Sequence, residues 1–104
     1  MHPYHTLFLI LSAYLHRVKE EYEAALSDLE LANKHFEDPS LEEELKNQIS
    51  LTYNEMGIFL YKQSKFAEAS TLFTEGLTFK AKDWGMLTNR GDCYKALNQY
   101  VNAL

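Results

Sequence analysis

One spacing, 34 residues, recurs through the second half of the chain. Gly57 and Gly91, Phe66 and Tyr100, Ala69 and Ala103, Leu60 and Tyr94, and Tyr53 and Leu87 each stand 34 apart. Five like-for-like pairs at one offset describe a structural unit used more than once. A unit of that length cannot bury its apolar face alone, so copies of it must stack. Within each copy the apolar residues fall three and four apart, as in Tyr53, Met56 and Leu60, then Leu87, Tyr94 and Leu97. That is the period of a helix with one buried stripe. Four Gly and two Pro, both prolines within the first 39 residues, leave long stretches free of helix breakers. The small residues have a packing use in two helices that cross closely: Gly57 and Gly91 admit a neighbouring helix, and Ala69 and Ala103 leave room for only a methyl group at the crossing. Phe66 and Tyr100 fill the corner beside the turn.

The set Gly57, Leu60, Phe66, Ala69, Phe73 and Leu77, followed by Trp84, Leu87, Gly91, Tyr94, Tyr100 and Ala103, resembles the tetratricopeptide (TPR) repeat. Ala81 stands where that family often has Pro, and Gly76 where it often has Ala. Earlier in the chain, Glu21-Tyr22-Glu23-Ala24-Ala25-Leu26 resembles Lys65-Phe66-Ala67-Glu68-Ala69-Ser70, but Ala25 and Ala69 are 44 apart, ten more than the period. The surplus lies near Asp38-Pro39-Ser40, where Ser40 and Glu43 read as a capping box that starts a long helix. The helices expected are about 4–18, 20–36, 40–62, 66–79 and 84–97, with another starting near 99. The fold expected is all-α, with antiparallel helix-turn-helix repeats stacked as a short right-handed TPR solenoid. One domain over 1–104 would contain a degenerate repeat at 4–36, a full repeat at 50–83 and a truncated one at 84–104. A chain stopping about five residues into its last helix reads as a fragment or truncated form.

Composition excludes several classes. The net charge of −5 comes from residues 1–49, with four bases against ten acids, while residues 50–104 carry six bases against five acids. With no basic stripe, no nucleic acid is expected as a partner. The apolar run from Leu7 to Leu15 is too short to span a bilayer, so no membrane partner is expected. Met1–Thr6 has no Lys or Arg to open a signal peptide, and the run reads as a buried helix. The missing signal and the single cysteine point to the cytoplasm, in a cytosolic or cytoskeleton-associated assembly.

Nothing organises a reaction. His2, His5, His16 and His35 lack a second ligand pair at zinc spacing, so no metal and no cofactor are expected. Cys93 falls at an interior helix position and reads as a small buried apolar group. Arg90-Gly91-Asp92 spells an integrin-recognition tripeptide, but mid-helix, where Gly91 has a packing reason. The seven Tyr, six Phe and one Trp read mainly as core. The chain is not expected to be an enzyme.

The resemblance implies a different use. TPR arrays line a concave groove with the first helix of each repeat and hold a peptide or helix of a partner protein there. Its groove offsets fall on Leu51, Asn54, Ile58, Tyr61 and Lys62, then on Thr88, Asp92 and Lys95, with Ile10, Tyr14 and Arg17 from the degenerate unit. Chaperone-binding members clamp a C-terminal carboxylate with Lys, Asn and Arg. The matching positions here are Ile10, Tyr14, Gly85 and Asn89, so no Hsp70/Hsp90 carboxylate clamp is expected. The expectation is a protein-protein interaction or scaffold module. Its alternatives are self-association through the apolar first helix or the open C-terminal edge, and a regulatory segment of a larger enzyme or assembly.

Overall fold

The computed structural model describes residues 3–35 and 39–103. It is all-α: α1 (Pro3–Val18), α2 (Tyr22–His35), α3 (Glu42–Lys62), α4 (Phe66–Phe79) and α5 (Trp84–Ala103). A single 3-10 turn, Pro39–Leu41, precedes α3, so Ser40 sits in that lead-in and the α-helix starts two residues later. No strand occurs among the described residues. The chain forms two compact units, Met1–Thr52 and Tyr53–Leu104, and α3 contributes its first half to one and its second half to the other.

In the first unit α1 packs along α2. Their pairing is antiparallel: Ser12 donates to Asp28 Oδ2 at 2.7 Å, while His16, nearer the turn, lies 3.5 Å from Glu21 and 3.6 Å from Asp28. Leu9 and Ala13 of α1, Ala25, Leu29 and Ala32 of α2, and Leu45 and Ile49 of α3 form the buried rows. Each row keeps the three-and-four spacing of one helix face. Arg17 continues the α1 row inward. Its guanidinium donates to Gln48 Oε1, whose amide donates to Glu44 Oε1 at 2.8 Å, so the buried cation is relayed to an acid. The Leu7–Leu15 run is therefore not buried as expected. Only the Thr6, Leu9, Ala13 and Arg17 side is covered, because a single helix partner covers a single face.

The second unit is an α3–α4 hairpin with α5 laid on α4. Three contacts fix the antiparallel register. Tyr61 meets Phe66 edge-on at 5.1 Å, Gly57 backs onto Phe73, and Tyr53 stacks on Phe79 at 6.4 Å. Ala69, Phe73 and Leu77 of α4 and Met86 and Cys93 of α5 form the core, flanked by Ile58, Leu60, Phe66 and Leu87. Asp83 opens α5 by accepting from Met86 N–H at 2.9 Å, which satisfies one of the first-turn donors.

The corners after α1 and α3 are the same. Glu20 and Ser64 adopt φ of 60° and 62°. Glu20 N–H donates to Arg17 O and Glu21 N–H to His16 O; Ser64 N–H donates to Tyr61 O and Lys65 N–H to Leu60 O. This pair of bonds closes a helix through one left-handed residue. The two corners are 44 residues apart, the same offset that separates Ala25 from Ala69.

Two expectations in the third unit fail. Asn98 stands 34 residues after Ser64, yet the chain does not turn there, and α5 runs unbroken to Ala103. Turning requires a left-handed residue and a following helix long enough to compensate, whereas continuing adds a hydrogen bond per residue. Too few residues follow Asn98 here to pack back. Gly91 accordingly admits no neighbour: a Cβ on it would meet nothing within 4 Å.

A left-handed conformation costs a side-chain-bearing residue about 1 kcal/mol and costs glycine almost nothing. Glu20→Gly and Ser64→Gly should therefore each raise stability by roughly 0.5–1 kcal/mol in urea unfolding, despite the added chain entropy of glycine. Destabilisation by either would show that the corner is held by its side chain instead.

Candidate functional site

In the second unit, the helix face that carries Asn54, Ile58, Tyr61 and Lys62 is opposed by α5, and α4 supplies the floor between them. The result is a cleft of ≈ 300 Å³ lined by Ile58, Tyr61 and Lys62 from α3, Phe73 from α4, and Asn89 and Asp92 from α5. Phe73 is wholly buried and forms an apolar base with Ile58. The rim is polar and mixed in charge: a phenol, an ammonium, a carboxylate and a carboxamide. Asn89 Nδ2 donates to Asn54 Oδ1 at 3.0 Å, which fixes the Asn89 amide plane across the two helices. On its other side α5 is tied to α4, where Arg90 donates to Thr74 Oγ1 at 3.2 Å and lies over the Tyr94 ring.

Four of the eight groove residues expected from the resemblance, Ile58, Tyr61, Lys62 and Asp92, come together in this cleft. Asn54 adjoins it through Asn89. Thr88 and Lys95 are exposed on α5 without lining it, and Leu51 is exposed in the first unit. Arg17, expected in the groove from the degenerate unit, is instead buried on Gln48 and lies against Tyr14. Phe73 and Asn89 are the lining residues that the groove pattern missed. Phe73 was legible as the aromatic opposite Gly57, and Asn89 as the residue one turn before Asp92 on the same helix face.

The cleft binds rather than reacts. Cys93, beside Asp92 in sequence, is directed into the core and fully buried. Burial pushes its thiol above the usual range, and the Asp92 carboxylate raises it further. The thiolate, the reactive form, is thereby suppressed at neutral pH. Among the described residues no three of His, Cys, Asp and Glu are grouped to hold a metal, and no helix is long and apolar enough to cross a membrane.

Helical hairpins with a 34-residue spacing and a cleft on the first-helix face are the features of a TPR-like protein. Comparison with known sequences bears out the resemblance. The chain is 26% identical over 105 residues to Tetratricopeptide repeat protein 16 of Macaca fascicularis, covering 97% of this chain and 12% of that protein. It is 28% identical over 102 residues to Tetratricopeptide repeat protein 16 of Homo sapiens, covering 94% of this chain and 11% of that protein. It thus spans little more than a tenth of the relatives it matches. No family model and no solved structure matches the chain.

The raised thiol pKa carries a direct expectation. Folded protein should react with a thiol-specific reagent at pH 8 at least about tenfold more slowly than protein unfolded in guanidinium. Equal rates would mean that Cys93 is open to solvent and available for chemistry.

Proposed function

We propose that the chain is a protein-protein interaction module whose hairpins stack as a short right-handed TPR solenoid. In this reading an extended peptide of a partner protein lies across the cleft between α3 and α5. The observation that carries it is the pairing of an apolar floor, Phe73 with Ile58, and a rim of groups able to bond a peptide main chain. The Asn89 carboxamide, already oriented by Asn54, offers a donor and an acceptor to one peptide unit. Tyr61 adds a hydroxyl, and Lys62 and Asp92 bring opposite charges to the rim, so a peptide carrying an apolar side chain flanked by charges would be matched. The relatives' printed name, a tetratricopeptide repeat protein, supports the same class. A cytoplasmic scaffold role follows from the class.

Selection from a displayed library of extended peptides, followed by calorimetry, tests the reading. Asn89→Ala and Tyr61→Ala should each weaken the selected peptide by about tenfold, the loss of one well-placed hydrogen bond and its packing. Leu51→Ala, away from the cleft, should change affinity by less than about twofold. A selected peptide indifferent to the cleft variants overturns the reading. Submicromolar binding of an acidic C-terminal chaperone tail would contradict the absence of a carboxylate clamp.

A further inference from the structure

The first helix has a second apolar face that nothing in the fold covers. Leu7, Phe8, Leu11, Tyr14, Leu15 and Val18 are all exposed, with Phe8 and Val18 at 66% and Leu11 at 58%. They lie on the side of α1 away from buried Leu9 and Ala13. Scattered exposed leucines are ordinary, but six large apolar side chains in one stripe along three turns are not. Phe8, Leu11, Leu15 and Val18 are spaced three, four and three, which is the spacing of a seam that meets another helix. No acid occurs between Pro3 and Val18 to wet that seam.

We infer that α1 pairs with α1 of a second copy of this chain, antiparallel, about a two-fold axis near the middle of the stripe. This surface is separate from the α3–α5 cleft and stands whether or not a peptide binds there. Three features select a second copy and set its direction. The stripe exposes roughly 600 Å² of apolar surface, so a self-complementary pairing buries about 1,200 Å² in total, the lower bound for a specific interface. Two-fold pairing also brings the same patch to both sides, as an isologous interface requires. In the antiparallel register that sets Phe8 of one copy against Val18 of the other, Leu11 faces Leu15 twice. The same register brings the exposed Glu20–Glu21 turn of each copy to the start of α1 in the other, where His5 and the first-turn N–H groups lie. A parallel pair would instead set Glu20 and Glu21 against themselves.

Analytical ultracentrifugation of the full chain from about 1 µM to about 1 mM tests the inference, with a monomer–dimer midpoint expected in the micromolar range for an interface of this size. Leu11→Glu places a carboxylate in the seam of both copies and should weaken dimerisation at least about 100-fold. Leu11 is exposed in the monomer, so helicity by circular dichroism should be unchanged. Phe8→Ser provides an independent seam variant with the same expected outcome. Leu31→Glu, an exposed leucine on α2 off the stripe, should leave the dimer intact. Mixing Phe8→Cys with Val18→Cys chains under mild oxidation should give the mixed disulfide in preference to either symmetric one. A chain that is monomeric at every concentration overturns the inference, including one whose α1 is captured by lipid vesicles or by a partner's helix. A dimer that survives both Leu11→Glu and Phe8→Ser overturns it as well, and predominance of the symmetric disulfides overturns the antiparallel register.

Discussion

The second unit depends on how closely α3 approaches α4 at Gly57. A Cβ added there would lie 2.5 Å from Phe73 Cε1, well inside contact distance. The missing side chain is what allows the Phe73 ring to lie against the α3 backbone, where it is completely buried. Burying such a ring contributes about 1.5–3 kcal/mol, a large share of what a small unit can hold in reserve. The same ring is the floor of the cleft, so the contact that stabilises the hairpin also shapes the surface proposed to bind. Tyr61 on Phe66 and Tyr53 on Phe79 then fix the two ends of the hairpin on either side of that central contact.

The first unit solves its packing differently. Alanines rather than a glycine bring its helices together, with Ala13, Ala25 and Ala32 all wholly buried. Its row of buried residues ends in a charged one, Arg17, which is tolerated because Gln48 passes its charge on to Glu44. Both units nonetheless turn from one helix to the next through the same pair of backbone bonds around a left-handed residue. The repeat is thus kept in the corner geometry even where the sequence between corners has drifted from the 34-residue period.

Much of this architecture was legible in advance because it rests on local rules. The apolar spacing and the scarcity of Gly and Pro located every helix to within a few residues, and the 44-residue offset of Ala25 and Ala69 proved to be the offset of the two corners. What failed depended on partners. Gly57 and Gly91 look alike in sequence, but only Gly57 has an aromatic across from it, since the residue 34 beyond Phe73 falls outside the 104. Asn98 and Ser64 occupy equivalent places, yet only at Ser64 does a following helix repay the turn. The α1 run read as fully buried because hydropathy does not distinguish a helix covered on two faces from one covered on one. For the cleft, the offsets found the α3 side well, but Asn89 emerges only once α5 is seen to turn that face toward Asn54.

Replacing the two glycines one at a time by alanine, and comparing urea unfolding, tests the central claim most directly. Alanine is the better helix former by roughly 0.5–1 kcal/mol, so Gly91→Ala, with open space around it, should stabilise by about that much. Gly57→Ala carries the same propensity gain but drives a methyl into a buried ring, and should be destabilising by roughly 1–3 kcal/mol. Equal effects at the two positions would contradict the account, because they would show that Phe73 is not seated on the α3 backbone and does not form the floor of the cleft.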